Sequence, residues 1–496
     1  MRGFLASSIG VTCAVALALP LTPPALAATA RPAPGVEVAT RAPVGSERRA
    51  AEPYVPGSTQ SLPLAPRSRD RVAGRPVEQG LTRRDVPHFS LVGVIWDDPD
   101  VELHGRVQVR TRAVGTGAWS GWQDVETHNA DHAADPGTAE RTSGRVRGST
   151  APLWVGRSDG VEVRVTAEAV PVRGEESVRG GGDPTPDPAA TGTGVDVASP
   201  LPEGLRLELV DPGDPAPAPE DPAGAPRPGS LTAETGETTE TLAGSSAADA
   251  AASTANLELA PLGAAEIPAL GRAETERELL ALRGDELTQE QRAKPYIGPR
   301  PRVVTRRGWG ANESWRERQF AYTKKVKAAF VHHTATGGGY RCSQVGSLIR
   351  GIYRYHVKSM GWRDIGYNFL VDKCGNIYEG RAGGVAKPVL GAHTLGFNSN
   401  SMGIAVLGSY GTTKPSSASV KAIARLTAWK LGLFGVNPRG KTYLKSGGGN
   451  LYRKGKNVRL NTISGHRDGY STECPGWQLY RKLGTARAAA ARYQGR

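Results

Sequence analysis

The chain has 496 residues, including 63 Gly and 37 Pro, and only 38% are hydrophobic. That composition excludes one continuous globule and points to two or three folded modules joined by segments without a core. The formal net charge of +14 suits an anionic partner, and nucleic acid, anionic lipid and bacterial cell wall all qualify.

The first segment, MRGFLASSIGVTCAVALALPLTPPALAATA, carries Arg2, an apolar run from about Ile9 to Leu21, and Ala25-Leu26-Ala27. This pattern predicts a secretory signal peptide over residues 1–27, cut after Ala27. A membrane anchor is the alternative, but the run is shorter than the roughly 20 residues a spanning helix needs. The expectation is a secreted or cell-wall-associated protein with no stable membrane insertion after cleavage. Removing the segment takes Cys13 with it and leaves Cys342, Cys374 and Cys474, an odd number in a compartment that favours disulfides.

Residues 28–85 are rich in Ala, Pro, Arg and Ser without periodicity and are expected to be disordered. The texture changes at HFSLVGVIWDD. Short runs follow (ELHGRVQVRTRA, WSGWQDV, APLWVGR, GVEVRVTAEA, GLRLELVDP), and they predict a small all-β, sandwich-like module over 86–212 with a disordered insertion at 173–200. Trp119, Trp122 and Trp154 suit either a carbohydrate platform or the module's own packing. Residues 213–298 are expected to be a linker.

The last part, 299–490, predicts an α/β domain with a mixed sheet flanked by helices. KAAFVHHTA reads as a buried strand. CSQVGSLIRGIYRYHVKSMGW reads as a helix, with Val345, Leu348, Ile349, Ile352 and Tyr353 on one face. GYNFLVDKCGNIYEGR reads as two strands and a turn, and MGIAVLGSY as a further strand. SASVKAIARLTAWKLGLFG is a second helix, a short strand leads into ISGHRD, and WQLYRKLGTARAAAARY closes the domain as a helix. YLKSGGGNLYRKGKNVRL (443–460) is a basic Gly-rich hairpin-like insertion. It suits either a solvated loop or a track for anionic polymer.

Three groups are candidate metal ligands: one of His332 and His333 at a strand end, His466 at another, and Cys474 eight residues later in a loop. Catalytic zinc uses three protein ligands of these types and leaves a fourth position open. Hydrogen-bonded histidines and a buried thiol are the alternative. A Cys342–Cys374 disulfide would tie a helix to the sheet and leave Cys474 unpaired, although a bridge through Cys474 stays open.

VHHTAT, HVKSMGWRDIGYNFLVD, GNIYEGR, GAHTLGFNSNSMGIAVLG and GHRDGYSTECPG occur in that order over about 160 residues. Together they resemble the peptidoglycan recognition protein and zinc-dependent N-acetylmuramoyl-L-alanine amidase family over about 300–490. The upstream part is more loosely similar to secreted actinobacterial members. The resemblance implies hydrolysis of the amide between the muramic acid lactyl group and the L-Ala of the stem peptide, with Zn2+ as cofactor. It implies His332, His466 and Cys474 as zinc ligands and leaves His333 as a packing neighbour. It further implies Tyr367 and Thr472 as catalytic residues. His356, Arg381, His393 and Asn398 then line a substrate groove, with Arg381 suited to a bidentate pair with a stem-peptide carboxylate. Asp364 suits either ligand orientation or a turn. EGRAGGVAKPVLGAH lacks the Gly-Trp found in diaminopimelate-preferring members, so the stem-peptide preference stays open.

Three readings compete with the hydrolase. One is a non-catalytic peptidoglycan-binding module, against which Cys474 and Tyr367 both argue. Another is a cysteine peptidase using Cys474 and His466, for which a thiol followed by Pro475 is poorly placed. The third is a DNA-binding protein, for which there is no motif. The expected partner is peptidoglycan, with no nucleic acid, and the expected state is a monomer.

Overall fold

The computed structural model describes residues 56–171, 196–214 and 240–496. The expected signal segment 1–27 and most of the expected 173–200 insertion lie outside the described residues.

Alternating apolar residues in the first half pair into one antiparallel sheet. Its main strands are β1 (Ser58–Pro63), β2 (Glu78–Trp96), β3 (Gly105–Ala113), β4 (Gln123–Val125), β5 (Leu153–Ala167) and β6 (Arg206–Asp211). They lie in the order β1-β6-β2-β5-β3-β4, and two-residue strands at Ala65–Pro66 and Gly148–Ser149 add to β2. The module therefore begins earlier than residue 86. Residues 58–85, expected to be disordered, contain β1 and the first part of β2. Their polar composition is compatible with pairing because β1 is an edge strand that buries little of its surface.

The run Phe89–Trp96 is buried throughout, and the period-2 alternation of the strand divides its side chains between two environments. Val92, Val94 and Trp96 enter the module's own core with Val107, Val109 and Val163. Leu91 and Ile95 enter a second cluster, with Leu348, Ile349, Ile352 and Tyr355 of the C-terminal half. The two halves thus share apolar packing.

The C-terminal domain begins earlier than residue 299. Helix α1 (Glu240–Thr254), strand β7 (Glu266–Ile267) and helices α2 (Arg272–Arg283) and α3 (Gln289–Ala293) precede β8 (Val303–Val304). Leu259, Ile267, Leu279 and Ile297 are buried in the domain's main core, so the later part of the expected 213–298 linker is folded. Leu257, Leu262 and Leu280 in the same stretch stay exposed, so no regular apolar face marks it as folded.

The seven-stranded mixed sheet continues with β9 (Ala328–His333), β10 (Phe369–Val371), β11 (Ile377–Glu379) and β12 (Ser401–Val406). The two-stranded hairpin β13 (Lys441–Lys445) and β14 (Asn457–Asn461) spans the basic insertion, and β15 (Ile463–Gly465) closes the sheet. The order is β7-β8-β11-β10-β12-β9-β15, with β9 parallel to both of its neighbours. Helix α4 (Val345–Arg354) covers one side, and its buried face carries the five residues the sequence spacing marks. Helix α5 (Ser417–Gly432) starts at Ser416, whose hydroxyl accepts from the Ser419 amide. The expected last helix is two pieces, α6 (Trp477–Tyr480) and α7 (Leu483–Gln494). A Cys342–Cys374 disulfide ties the turn before α4 to the β10–β11 turn, and Cys474 is a buried free thiol.

Candidate metal centre and groove

Strand alternation separates the two adjacent histidines of β9. His333 shares a face with Ala329 and Val331; its Nδ1 accepts from the Tyr410 amide at 3.3 Å. His332 shares the other face with Ala328 and Phe330 and turns toward His466, which follows β15 directly. The loop after His466 returns so that the Arg467 amide donates to the Cys474 carbonyl at 3.0 Å. This brings the thiol beside the two rings. The His332 and His466 ring centroids are 4.5 Å apart, and His332 Nδ1 lies 3.8 Å from Cys474 Sγ. His332 Nε2 points away, 3.3 Å from both His393 Nδ1 and Thr394 Oγ1.

A fourth group completes the cluster, and it comes from the N-terminal domain. His132, in the loop after β4, places Nε2 3.5 Å from Cys474 Sγ, and its Nδ1 is 2.9 Å from Asp131 Oδ1. That hydrogen bond puts the imidazole proton on Nδ1 and leaves the Nε2 lone pair facing the cluster. One ligand atom from each of His132, His332, His466 and Cys474 lies within 4.8 Å of all the others, and all four residues are buried. Neither ring nitrogen of His466 has a hydrogen-bond partner. Buried imidazole nitrogens are rarely left so, and a soft His/Cys set at this separation fits a zinc ion.

The electrostatics agree. Burial pushes His466 down to about 3 and His332 well below its ordinary value, so both rings are neutral donors. Burial also raises the Cys474 thiol, and Asp131 adds to the shift, so a thiolate there requires a cation. Burial raises the Asp131 carboxyl too, but the His132 and His466 rings and hydrogen bonds from His132 and Thr472 outweigh it and hold the group ionised.

Tyr367 packs beside the cluster, with its ring 5.7 Å from His332 and 5.9 Å from His132. Burial first, then Cys474 and Asp131, raise its hydroxyl well above the ordinary range, so it is a neutral donor. Thr472 Oγ1 accepts from the Cys474 amide at 3.1 Å. His356 packs against Trp362 with the rings tilted and their centroids 4.5 Å apart, and its Nδ1 accepts from the Gly366 amide at 3.2 Å. His393 lies behind His332. Asn398 Oδ1 accepts from the His393 and Thr394 amides at 2.7 and 3.1 Å. Asp364 does not face the cluster; it pairs with Arg306 at 3.0 Å and accepts from the Ala382 amide.

Arg381 is buried, and both of its terminal nitrogens reach Glu140 at 2.8 Å in a bidentate fork. Like His132, Glu140 belongs to the N-terminal domain. Neither residue is among the sites the sequence indicated. The only signal was the segment HNADHAADPG, which holds two of the chain's nine histidines among acidic residues in a loop. Trp119 and Trp122 stack with Arg83, Arg110 and Arg164 at 4.3–6.0 Å. Trp154 packs against the cluster shared by the two halves.

An α/β domain with a buried His/Cys cluster at the strand ends, beside a tyrosine, defines a class of proteins with a site able to hold a metal ion. Sequence comparison narrows that class. Residues 322–477 match the family described as N-acetylmuramoyl-L-alanine amidase, and residues 46–193 match the Rv3811 N-terminal galactose-binding domain-like family. Peptidoglycan-recognition protein SC2 of Drosophila simulans is 33% identical over 186 residues, which are 37% of this chain and 85% of that protein. Peptidoglycan-recognition protein 2 of Holotrichia diomphalia is 31% identical, covering 38% of this chain and 86% of its own. Among solved structures, wild-type Drosophila PGRP-LB is 26% identical with a TM-score of 0.29, covering 37% of this chain and 92% of its own. The chain belongs to the N-acetylmuramoyl-L-alanine amidase and peptidoglycan-recognition protein family, and its N-terminal domain is galactose-binding-like. Membership makes it a peptidoglycan-directed amidase or binding protein. Among the described residues no helix is long and apolar enough to cross a membrane.

Proposed function

We propose that the chain is a secreted, zinc-dependent N-acetylmuramoyl-L-alanine amidase that remodels or lyses cell wall. It hydrolyses the amide between the lactyl group of muramic acid and L-Ala of the stem peptide. The observation that carries this reading is the convergence of His332, His466 and Cys474, with neither His466 nitrogen hydrogen-bonded and the Asp131 carboxylate 3.7 Å from Nδ1. Zinc held by these three residues supplies a Lewis acid that polarises the scissile carbonyl and makes water nucleophilic near neutral pH.

The chain's own residues do the rest. His393 and Thr394 fix the His332 ring through Nε2, leaving Nδ1 as the ligand atom. Tyr367, held protonated by burial, donates a hydrogen bond to the oxygen that gains negative charge as the carbonyl is attacked. Thr472 fixes the Cys474 backbone and offers a second, weaker donor. Arg381 offers a planar fork for a stem-peptide carboxylate. His356 and Asn398 line the same groove and hold its backbone in place. The signal segment 1–27 supports export to the cell wall, where the net charge of +14 favours anionic polymer.

The test is zinc content per chain together with turnover of a muramoyl-peptide, before and after chelation and zinc replacement. One zinc per chain, activity lost on chelation and activity restored by zinc are expected. Turnover that survives complete metal removal overturns the proposal. Retained peptidoglycan binding with neither metal nor turnover identifies a recognition module instead.

A further inference from the structure

The groove that the proposed amidase needs is filled by the chain itself. The loop between β4 and the Gly148–Ser149 strand leaves the N-terminal domain and lies along the same residues that would handle substrate. His132 Nε2 faces the metal cluster beside Cys474 Sγ. Asp131 accepts a backbone hydrogen bond from the Leu395 amide at 2.9 Å. The Ala133 carbonyl and Asp135 Oδ1 accept from Asn398 Nδ2 at 2.8 and 2.7 Å. Asp135 Oδ1 also accepts from the Gly396 amide at 2.8 Å. Glu140 takes the Arg381 fork with both oxygens and also accepts from the Arg363 amide at 3.2 Å.

We propose that residues Asp131–Glu140 are a built-in inhibitor of the amidase site, in which His132 is a fourth protein ligand to the metal and Glu140 stands where a stem-peptide carboxylate binds. This rests on the metalloamidase reading above. Two features separate a resident inhibitor from a loop that merely passes by. First, a site with three protein ligands keeps a position for water, whereas four protein ligands make the closed arrangement of a structural zinc site. Second, a bidentate carboxylate on Arg381 excludes another carboxylate from the same fork. Asp131, Asp135 and Glu140 make the loop an acidic strip, matching the carboxylates a stem peptide carries. Its contacts are buried: Asp131, His132, Ala133 and Glu140 are each at most 6% exposed. Substrate therefore gains entry only when the loop leaves.

The experiment uses the full chain, its His132→Ala variant and its Glu140→Gln variant, loaded with cobalt(II) for spectroscopy and with zinc for turnover. In the unaltered chain the cobalt spectrum is that of four protein ligands and is insensitive to added azide. In His132→Ala a position opens and azide shifts the visible bands. Turnover of a soluble muramoyl-peptide rises at least about tenfold in each variant, because the competent population is no longer limiting. Glu140→Gln leaves all four metal-site side chains in place and carries the turnover test alone if His132→Ala does not fold. Equal turnover in all chains, or an azide-sensitive spectrum in the unaltered chain, overturns the inhibitor and leaves the amidase standing. Loss of turnover in His132→Ala with metal retained makes His132 a participant in the reaction and also overturns it. A chain that binds neither metal fails both readings.

Discussion

At the scale of single residues, the groove floor rests on a buried network of charged groups. Arg306 is fully enclosed and pairs with Glu313 at 2.7 Å and Asp364 at 3.0 Å, while Glu379 accepts from the Arg306 amide and from Asn256 of the α1 region. Burial raises Glu379 from its ordinary 4.5 to about 7, against the opposing effect of Asn256 and Arg306. Between those two values the folded chain holds a proton that the unfolded chain has released. The stabilisation is therefore fully present below about pH 4.5 and is lost as pH rises through about 7. Urea unfolding of the native chain and Glu379→Gln should show the native chain losing stability relative to the variant across that window. Parallel pH profiles would remove this role for Glu379. None of this was legible in EGR as a motif, because the partners of Glu379 lie 73 and 123 positions away. His332, His466 and Cys474 were legible as candidate ligands because each stands at a strand end or in the loop after one, whereas Tyr367 was indicated by the family resemblance alone. His132 was not legible, since 342 positions separate it from Cys474 and no local pattern links them.

At the scale of elements, the sheet and its covering helices follow from periodicity, and the elements that sequence reading missed are those with little of it. Helix α2, RAETERELLALR, buries only Thr275 and Leu279. A single buried leucine is too weak a pattern to separate a packed helix from a linker. Residues 58–63 pair only along a sheet edge, where composition matters less than the neighbouring strand. The Cys342–Cys374 bridge holds α4 against the β10–β11 turn and spans 32 positions. Replacing both cysteines with serine should cost about 3–4 kcal/mol through the restored freedom of the unfolded chain. Denaturant unfolding under non-reducing conditions measures that cost. Zinc content should stay unchanged, because neither cysteine is in the four-residue cluster. A variant that folds as stably as the native chain removes the bridge as a stabilising element.

At the scale of the whole molecule, the loop that fills the groove is held by the sheet it comes from, and that sheet is held by a shared apolar cluster. Leu91, Ile95, Val146 and Val210 of the N-terminal domain pack with Leu348, Ile349, Ile352 and Tyr355 of the C-terminal one. Tyr355 anchors the contact, donating to the Thr150 carbonyl at 3.1 Å, and its ring lies over Gly93. A methyl group at residue 93 would fall inside the van der Waals shell of the Tyr355 ring and hydroxyl, so Gly93→Ala forces the two surfaces apart. Gly93 is distant in sequence from every groove residue and has no side chain to contribute to chemistry. Its substitution therefore acts on the seating of the domains. The expected consequence is a less protected Asp131–Glu140 loop, with faster tryptic cleavage at Arg141 and Arg145. Both arginines are tied down in the native chain, by Asp100 and Glu317 respectively. Mass spectrometry of the first fragments places the cut. If the loop stays as resistant as in the native chain while the variant is measurably less stable, the shared cluster does not hold the loop in the groove, and release must begin within the loop.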